Sequence, residues 1–85
     1  MTKQQDIKTL VEEMVARVLS ENCVSFPQAR TEIENITGTR PDLTTMHRWR
    51  KRGLGGVRLE CARIGRAYYT SIQAINRFIV ARSSN

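Results

Sequence analysis

The sequence predicts a mainly α-helical domain that carries one small β-hairpin. Apolar residues recur at three- and four-residue intervals in several segments, as they do along one face of an α-helix. A short apolar–polar alternation surrounds Gly65, which is typical of a hairpin. The 85-residue chain has room for one domain with a modest core.

The first predicted helix is amphipathic and runs over residues 4–21. We expect this helix to cover the core of the domain, and the alternative is that it forms a self-association surface. We therefore divide the chain into an N-terminal helix, residues 1–22, and a second unit, residues 23–85. The apolar stripe of the helix consists of Ile7, Leu10, Val11, Met14, Val15, Val18 and Leu19.

The second predicted helix follows a connector at residues 21–24 and has clear signals at both ends. Ser25 and Gln28 have the spacing of a capping box, and Pro27 suits the first turn. Gly38 is placed to end the helix after Thr37. We expect three side chains to face inward: Ala29, Ile33 and Ile36.

The third predicted helix holds much of the positive charge. Asp42 is a good N-cap because its carboxylate can accept a free backbone N–H, and Gly53 suits the left-handed position after the helix. Met46 and Trp49 are three residues apart and should face the core. The other faces carry Thr44, Thr45, His47, Arg48, Lys51 and Arg52.

The predicted hairpin follows the flexible Gly55–Gly56 break. We expect a first strand over residues 57–61, a turn with Gly65 at positive φ, and a returning strand over residues 67–70. Thr70 or Ser71 then caps a last helix that extends through about Ala81. Its inward face would carry Ile72, Ile75, Phe78 and Ile79.

This order of elements predicts a winged helix-turn-helix domain preceded by an extra N-terminal amphipathic helix. Two short helices joined by a turn come first, the second of them basic, and the hairpin after them would form the wing. A basic helix with an apolar anchor stripe can lie in the major groove of DNA.

The distribution of charge favours an anionic partner. Residues 1–38 contain four basic and six acidic residues, net −2, whereas residues 39–85 contain ten basic and two acidic residues, net +8. Such one-sided charge favours nucleic acid, with an anionic membrane surface as the main alternative. No export signal or membrane span is apparent, which predicts a cytoplasmic, nucleoid-associated protein.

The sequence shows no pattern of an enzyme, a metal site or a cofactor site. The chain has no glycine-rich phosphate loop and no nucleophile paired with a histidine. Cys23 and Cys61 do not form a C-x-x-C pair, and His47 is the single histidine. We expect both thiols to be reduced and to lie in the core.

Three segments resemble the small MerR-like and excisionase-type DNA-binding proteins of bacteria and their mobile genetic elements. These proteins carry a Ser/Thr-x-aromatic-Arg-Trp-x-x-x-Gly recognition helix, and residues 44–53, TTMHRWRKRG, are similar to it, with His47 at the aromatic position. Residues 56–65, GVRLECARIG, and 69–78, YTSIQAINRF, extend the likeness. The same segments resemble an uncharacterised family of short bacterial proteins with a Leu-Glu…Arg-Ile-Gly wing.

The resemblance implies sequence-specific binding to double-stranded DNA and transcriptional regulation. The recognition helix, residues 43–52, would enter the major groove, and the wing, residues 57–70, would lie on the backbone or in the minor groove. The alternative is an excisionase, or recombination directionality factor, that bends DNA for a site-specific recombinase. A third possibility is a basic adaptor that binds an acidic protein. We expect a homodimer or a cooperative assembly on DNA, and a recombinase or RNA polymerase as protein partner.

We expect the DNA-binding residues to lie on the third helix and at the wing. Thr44, Arg48 and Arg52 share one face, where an arginine can form paired hydrogen bonds to guanine. Thr45 would contact a phosphate or complete the helix cap. The full expected set is Arg40, Thr44, Thr45, His47, Arg48, Arg50, Lys51, Arg52, Arg63 and Arg66.

Overall fold

The computed structural model describes residues 3–83, with side chains from Thr9 onward. Its helices are α1 (Lys3–Ser20), α2 (Phe26–Thr37), α3 (Leu43–Lys51) and α4 (Ile72–Ser83). Its strands are β1 (Cys23–Ser25), β2 (Ala62–Ile64) and β3 (Ala67–Ser71). The prediction of a mainly helical chain with a small β-structure is therefore confirmed.

The three strands form one antiparallel sheet in the order β1-β3-β2. β2 and β3 are the predicted hairpin, with Ile64 opposite Ala67 across a two-residue turn. Gly65 has φ +63° in this turn, as predicted. The prediction of a connector at residues 21–24 is wrong in part, because β1 pairs with β3 and places Val24 opposite Thr70.

The predicted first strand at residues 57–61 is also wrong. This segment joins no strand ladder: Val57 forms an isolated bridge with Leu54, and the Leu59 N–H donates to the Trp49 carbonyl of α3 over 3.1 Å. Leu59 is buried in the core. The alternation in the sequence therefore arises from a loop whose apolar side chains point inward. The pairing of β2 with β3 begins only at Ala62.

The predicted boundaries of α2 and α3 are confirmed. The Ser25 hydroxyl accepts the Gln28 N–H over 3.3 Å, and Gly38 ends α2 with φ +84°. The Asp42 carboxylate accepts the Thr45 N–H over 2.7 Å, and Gly53 follows α3 with φ +79°.

The main core lies between α2, α3, α4 and the sheet. Met46 is fully buried, and Trp49 stacks against Phe78 with ring centroids 5.0 Å apart, so both anchor α3 as predicted. The prediction that Ile36 faces inward is wrong, because 48% of this residue is exposed. The main core contains Val24, Phe26, Ala29, Ile33, Met46, Leu59, Ile75 and Phe78.

α1 covers the core with its last turns only. Val18 is fully buried and packs with Val15 against Ala62 and Ala74. Leu10 and Val11, which were predicted to lie on the same apolar stripe, are 65% and 50% exposed. Leu19 is exposed as well, and the Ile7 side chain lies outside the described residues.

The expectation that both thiols lie in the core is wrong for Cys23, which is exposed on β1. Cys61 is half-buried and packs against the main core, and burial raises the pKa of its thiol.

An ion-pair network joins the end of α1 to α4. The Arg77 guanidinium binds the Glu21 carboxylate through two bonds of 2.7 and 3.0 Å, and Glu60 through a third of 2.6 Å. Arg17 lies 3.6 Å from Glu60, and the Ser71 hydroxyl donates to Glu21 over 2.7 Å. The bond to Arg77 holds the pKa of Glu21 well below its usual value, at about 2.

Ser71 is the residue that caps α4. Its buried hydroxyl accepts the Ala74 N–H over 2.8 Å, whereas the Thr70 hydroxyl donates to the Glu60 carbonyl and is not available for a cap. α4 continues to Ser83, two residues beyond the predicted end.

We expect Ser71→Ala to lower the free energy of unfolding by about 1–2 kcal/mol, because it removes both the cap and the bond to Glu21. Urea denaturation measures this. Ser25→Ala is the matched control: its cap bond is longer and exposed, so we expect a smaller loss. Equal losses in the two variants would contradict the role assigned to Ser71.

Candidate nucleic-acid interface

Four polar or basic side chains form one outer face of α3: Thr44, Arg48, Lys51 and Arg52. We call this set the basic face. All four are exposed, and they line a shallow depression together with His47. Their spacing of three and four residues brings them to one side of the helix. The opposite side carries the buried Met46 and the stacked Trp49, which fix the helix to the core.

The cations of the basic face have no carboxylate partner among the described residues. Among the described residues, the arginines that form ion pairs are Arg17, Arg40 and Arg77. The acidic residue nearest in sequence, Asp42, accepts the Thr45 N–H at the N-terminus of α3. Arg48, Lys51 and Arg52 are thus available to an external anion.

The hairpin is joined to α3 through an aromatic cluster. The Tyr68 ring lies 5.2 Å from the His47 ring, edge to face, and 5.8 Å from the Phe26 ring. The Arg50 guanidinium lies 4.0 Å from the Tyr68 centroid, and that of Arg63 lies 5.6 Å from it. Two predicted site residues, one on α3 and one on the wing, therefore lie within about 10 Å of each other.

Tyr68 is the residue that sequence reasoning missed at this site. Tyr68 and Tyr69 alternate along the returning strand, and the alternation alone does not indicate which of the two faces inward. The signal was present, because a two-residue turn at Gly65 places Tyr68 directly opposite Arg63. Tyr68 supports both arginines by cation–π contact, which holds their charges at the junction of helix and hairpin.

His47 is turned toward this junction and is only partly exposed. Its Nδ1 accepts the Arg50 Nε–H over 3.3 Å, and its ring lies 5.2 Å from Phe26. Burial lowers the pKa of His47, and the positive charges of Arg50 and Lys51 lower it further. The lowered pKa favours the neutral imidazole, which lies beside the basic face.

The remaining predicted site residues lie in three different settings. Arg66 is exposed in the hairpin turn, and the Arg63 Nε–H donates to the Gly65 carbonyl over 3.0 Å. Arg40 is paired with Glu34 over 2.9 Å, so that a phosphate would have to compete with this carboxylate. The Thr45 backbone N–H donates to the Asp42 cap of α3, and Thr45 lines a pocket that does not include Arg48.

Thr45 and Arg40 line an apolar groove of about 540 Å³ on the other side of α3. We call it the groove. It runs between α2, α3 and the end of α4. Its apolar lining consists of Ile33, Pro41, Trp49, Leu54, Phe78 and Ile79.

The described residues offer no group of three or more His, Cys, Asp or Glu side chains that could hold a metal ion. Of the helices in residues 3–83, none combines the length and the apolar character that crossing a membrane requires.

Comparison with known proteins identifies a family. Residues 30–83 match the family model described as protein of unknown function (DUF1580), and this match covers more than half of the chain. The chain therefore belongs to this family. The match spans α3, the hairpin and α4 and begins within α2. No curated protein matches the chain, and no solved structure matches it.

Proposed function

We propose that this protein binds double-stranded DNA as a winged helix-turn-helix protein and regulates transcription. The observation that carries the proposal is the basic face, where arginines without a carboxylate partner stand exposed on a helix that is fixed to the core from behind. α3 has nine residues and is about 14 Å long, a size that fits the major groove.

The arrangement around α3 supports a helix-turn-helix reading. α2 precedes α3 across a five-residue connection, residues 38–42, and packs against it. The Arg30 Nε–H donates to the Pro41 carbonyl over 2.8 Å, which fixes the connection to α2. The two helices therefore present one surface, as the two helices of this motif do when the second enters the groove.

The hairpin supplies the wing in this proposal. Tyr68 and Arg50 hold the hairpin against α3, and Arg66 lies exposed in its turn. With α3 in the major groove, Arg63 and Arg66 would reach the flanking backbone, where arginines bind phosphates or enter the minor groove. The protein would then act at the nucleoid in the cytoplasm.

Titration of labelled duplexes at several salt concentrations tests the proposal. Arg50, Lys51, Arg63 and Arg66 are the expected phosphate contacts, so we expect log K to fall with a slope of about −3.6 against log salt. A duplex selected from a randomised pool should bind at least about a hundredfold more tightly than a scrambled one.

Two outcomes would contradict the proposal. Equal affinity for selected and scrambled duplexes would exclude sequence-specific recognition. Undetectable binding to duplexes, with tight binding to an acidic polypeptide, would favour the adaptor instead. The regulator and the excisionase share the same groove-reading helix, so footprinting separates them. A single site that overlaps a promoter indicates regulation, and tandem sites with DNA bending beside an attachment site indicate excision.

A further inference from the structure

Residues 9–13 of α1 form a stretch of helix that is not packed against the rest of the described chain. Residues 9–13 are all exposed, although Leu10 and Val11 are aliphatic and 65% and 50% exposed. Val15 and Val18 hold only the later turns to the sheet. A short helical segment has little stability in water by itself, and most helices are stabilised by packing an apolar face.

The groove is the complementary feature on the same molecule. Its apolar lining includes the buried Ile33 and Phe78 together with Trp49, Leu54 and Ile79. At about 540 Å³ it is as large as clefts that enclose a ligand. An apolar groove beside a helix is the surface on which an amphipathic helix docks, through side chains three and four residues apart.

The charges of the two surfaces match. Glu12 and Glu13 follow Leu10 and Val11 on α1 and have no ion-pair partner among the described residues. Arg82 lines the groove, and its guanidinium donates only to the Leu54 carbonyl over 3.2 Å. An α1 helix seated in the groove would bring one of these carboxylates to the Arg82 guanidinium, which has no carboxylate partner among the described residues.

We propose that α1 of one copy docks in the groove of a second copy, with Leu10 and Val11 on the apolar floor and Glu12 or Glu13 at Arg82. The partner is a second copy of this chain because it carries both surfaces. If each of two copies docks its α1 in the groove of the other, a closed dimer forms. If each copy docks its α1 in the groove of the next copy, a row of copies forms along DNA. Neither Arg48 nor Arg52 lines the groove, so the proposed contact does not use the arginines of the basic face.

Self-association in the absence of DNA tests this inference separately from DNA binding. In sedimentation equilibrium we expect association of the wild type, and a weakening of about tenfold or more in Val11→Asp and in Leu54→Asp. Ile64→Asp is the matched control, because Ile64 is 53% exposed at the hairpin and is not part of the groove or of residues 9–13. The control should associate as the wild type does.

A charge exchange identifies the contact. Glu13→Arg and Arg82→Glu should each weaken self-association, and a mixture of the two variants should restore it. Disulfide trapping in a Cys23→Ser background gives the register: a Val11→Cys chain mixed with a Leu54→Cys chain should form a bond joining positions 11 and 54.

The inference would be overturned if the wild type remains monomeric at about 100 μM, a concentration at which weak dimers form. It would also be overturned if the disulfide forms between two copies of position 11, or if the Leu54→Asp variant associates as the wild type does. The DNA-binding proposal is judged on a short duplex with a single site. Val11→Asp should bind it as the wild type does. A wild type that does not bind this duplex would count against the basic face, whatever the outcome for the groove.

Discussion

Arg48→Ala is expected to remove most of the preference of this protein for its selected DNA sequence. Arg48 stands in the middle of the basic face, one turn from Thr44 and one turn from Arg52. Its exposed guanidinium forms no ion pair with a carboxylate of the described chain, although its charge acts on the carboxylate of Asp42. Loss of a bidentate contact to a base costs about 1–3 kcal/mol, so affinity for the selected duplex should fall about 10- to 100-fold. Affinity for a scrambled duplex should change by less than about threefold.

Two further variants, each of which also removes one positive charge, serve as comparisons for Arg48→Ala. Lys51→Ala should weaken selected and scrambled duplexes to a similar extent and reduce the salt slope by about one, as expected for a phosphate contact. Arg17→Ala removes one positive charge from α1, where Arg17 lies beside Glu60, and should leave DNA affinity nearly unchanged. Fluorescence anisotropy on both duplexes measures all three variants.

The prediction is contradicted if Arg48→Ala and Arg17→Ala have the same effect. In that case the charge of the whole protein, rather than the position of one guanidinium, would govern affinity. A loss that is equal on both duplexes would instead place Arg48 among the phosphate contacts.

The local signals in the sequence predicted the helices well because they act within a few residues. Ser25 and Asp42 cap their helices through bonds to the backbone three residues later, and Gly38 and Gly53 adopt positive φ directly after them. These interactions need no distant partner. The inward direction of Met46 likewise follows from helical spacing alone.

The sheet and the charge pairs depend on distant residues, and there sequence reasoning was less complete. β1 has three residues, too few to show alternation, and it exists because β3 offers a free edge next to Val24. Arg40 was assigned to DNA, but the fold brings Glu34 to it. Neither pairing is visible in a segment of sequence read by itself.

The residues of the candidate site likewise fall into those whose positions follow from local spacing and those whose positions depend on distant residues. Arg48 and Arg52 could be assigned to one exposed face from spacing alone. The position of Arg50 could not, because Tyr68, eighteen residues later, determines where its guanidinium lies. His47 was read as a surface residue, and its contacts with Phe26 and Tyr68 arise only when the hairpin docks on α3.

Arg77→Met is expected to cause the largest loss of stability among the variants considered. The change removes the cation that binds Glu21 and Glu60 and leaves the two carboxylates beside each other. Removing one partner of a fully buried ion pair costs about 3–5 kcal/mol, but 37% of the Arg77 side chain is exposed, so we expect about 2–3 kcal/mol. Urea denaturation at pH 7 measures this.

The matched control is the exposed pair of Arg40 and Glu34, whose side chains are 48% and 41% exposed. Arg40→Met should cost between about 0 and 1 kcal/mol, because water screens the pair. A double-mutant cycle then isolates the interaction in the network. Glu21→Gln combined with Arg77→Met should cost less than the sum of the single changes. Additive losses would show that Glu21 and Arg77 contribute independently.

The dependence of the free energy of unfolding on pH provides a second test of the ion-pair network. The pKa of Glu21 is about 2 in the folded protein, against an ordinary value of 4.5, so the unfolded chain binds the proton more readily. The stabilisation is therefore complete above pH 4.5 and is lost as the pH falls toward 2. The stability difference between wild type and Glu21→Gln should be largest at pH 7 and should shrink through this range.

In the Arg77→Met background the difference should be smaller and nearly independent of pH, because the guanidinium that depresses the pKa is absent. A difference that stays constant down to pH 2 in the wild-type background would mean that Glu21 stabilises the fold without its charge, and the ion pair would then not be the bond that holds α1 to α4.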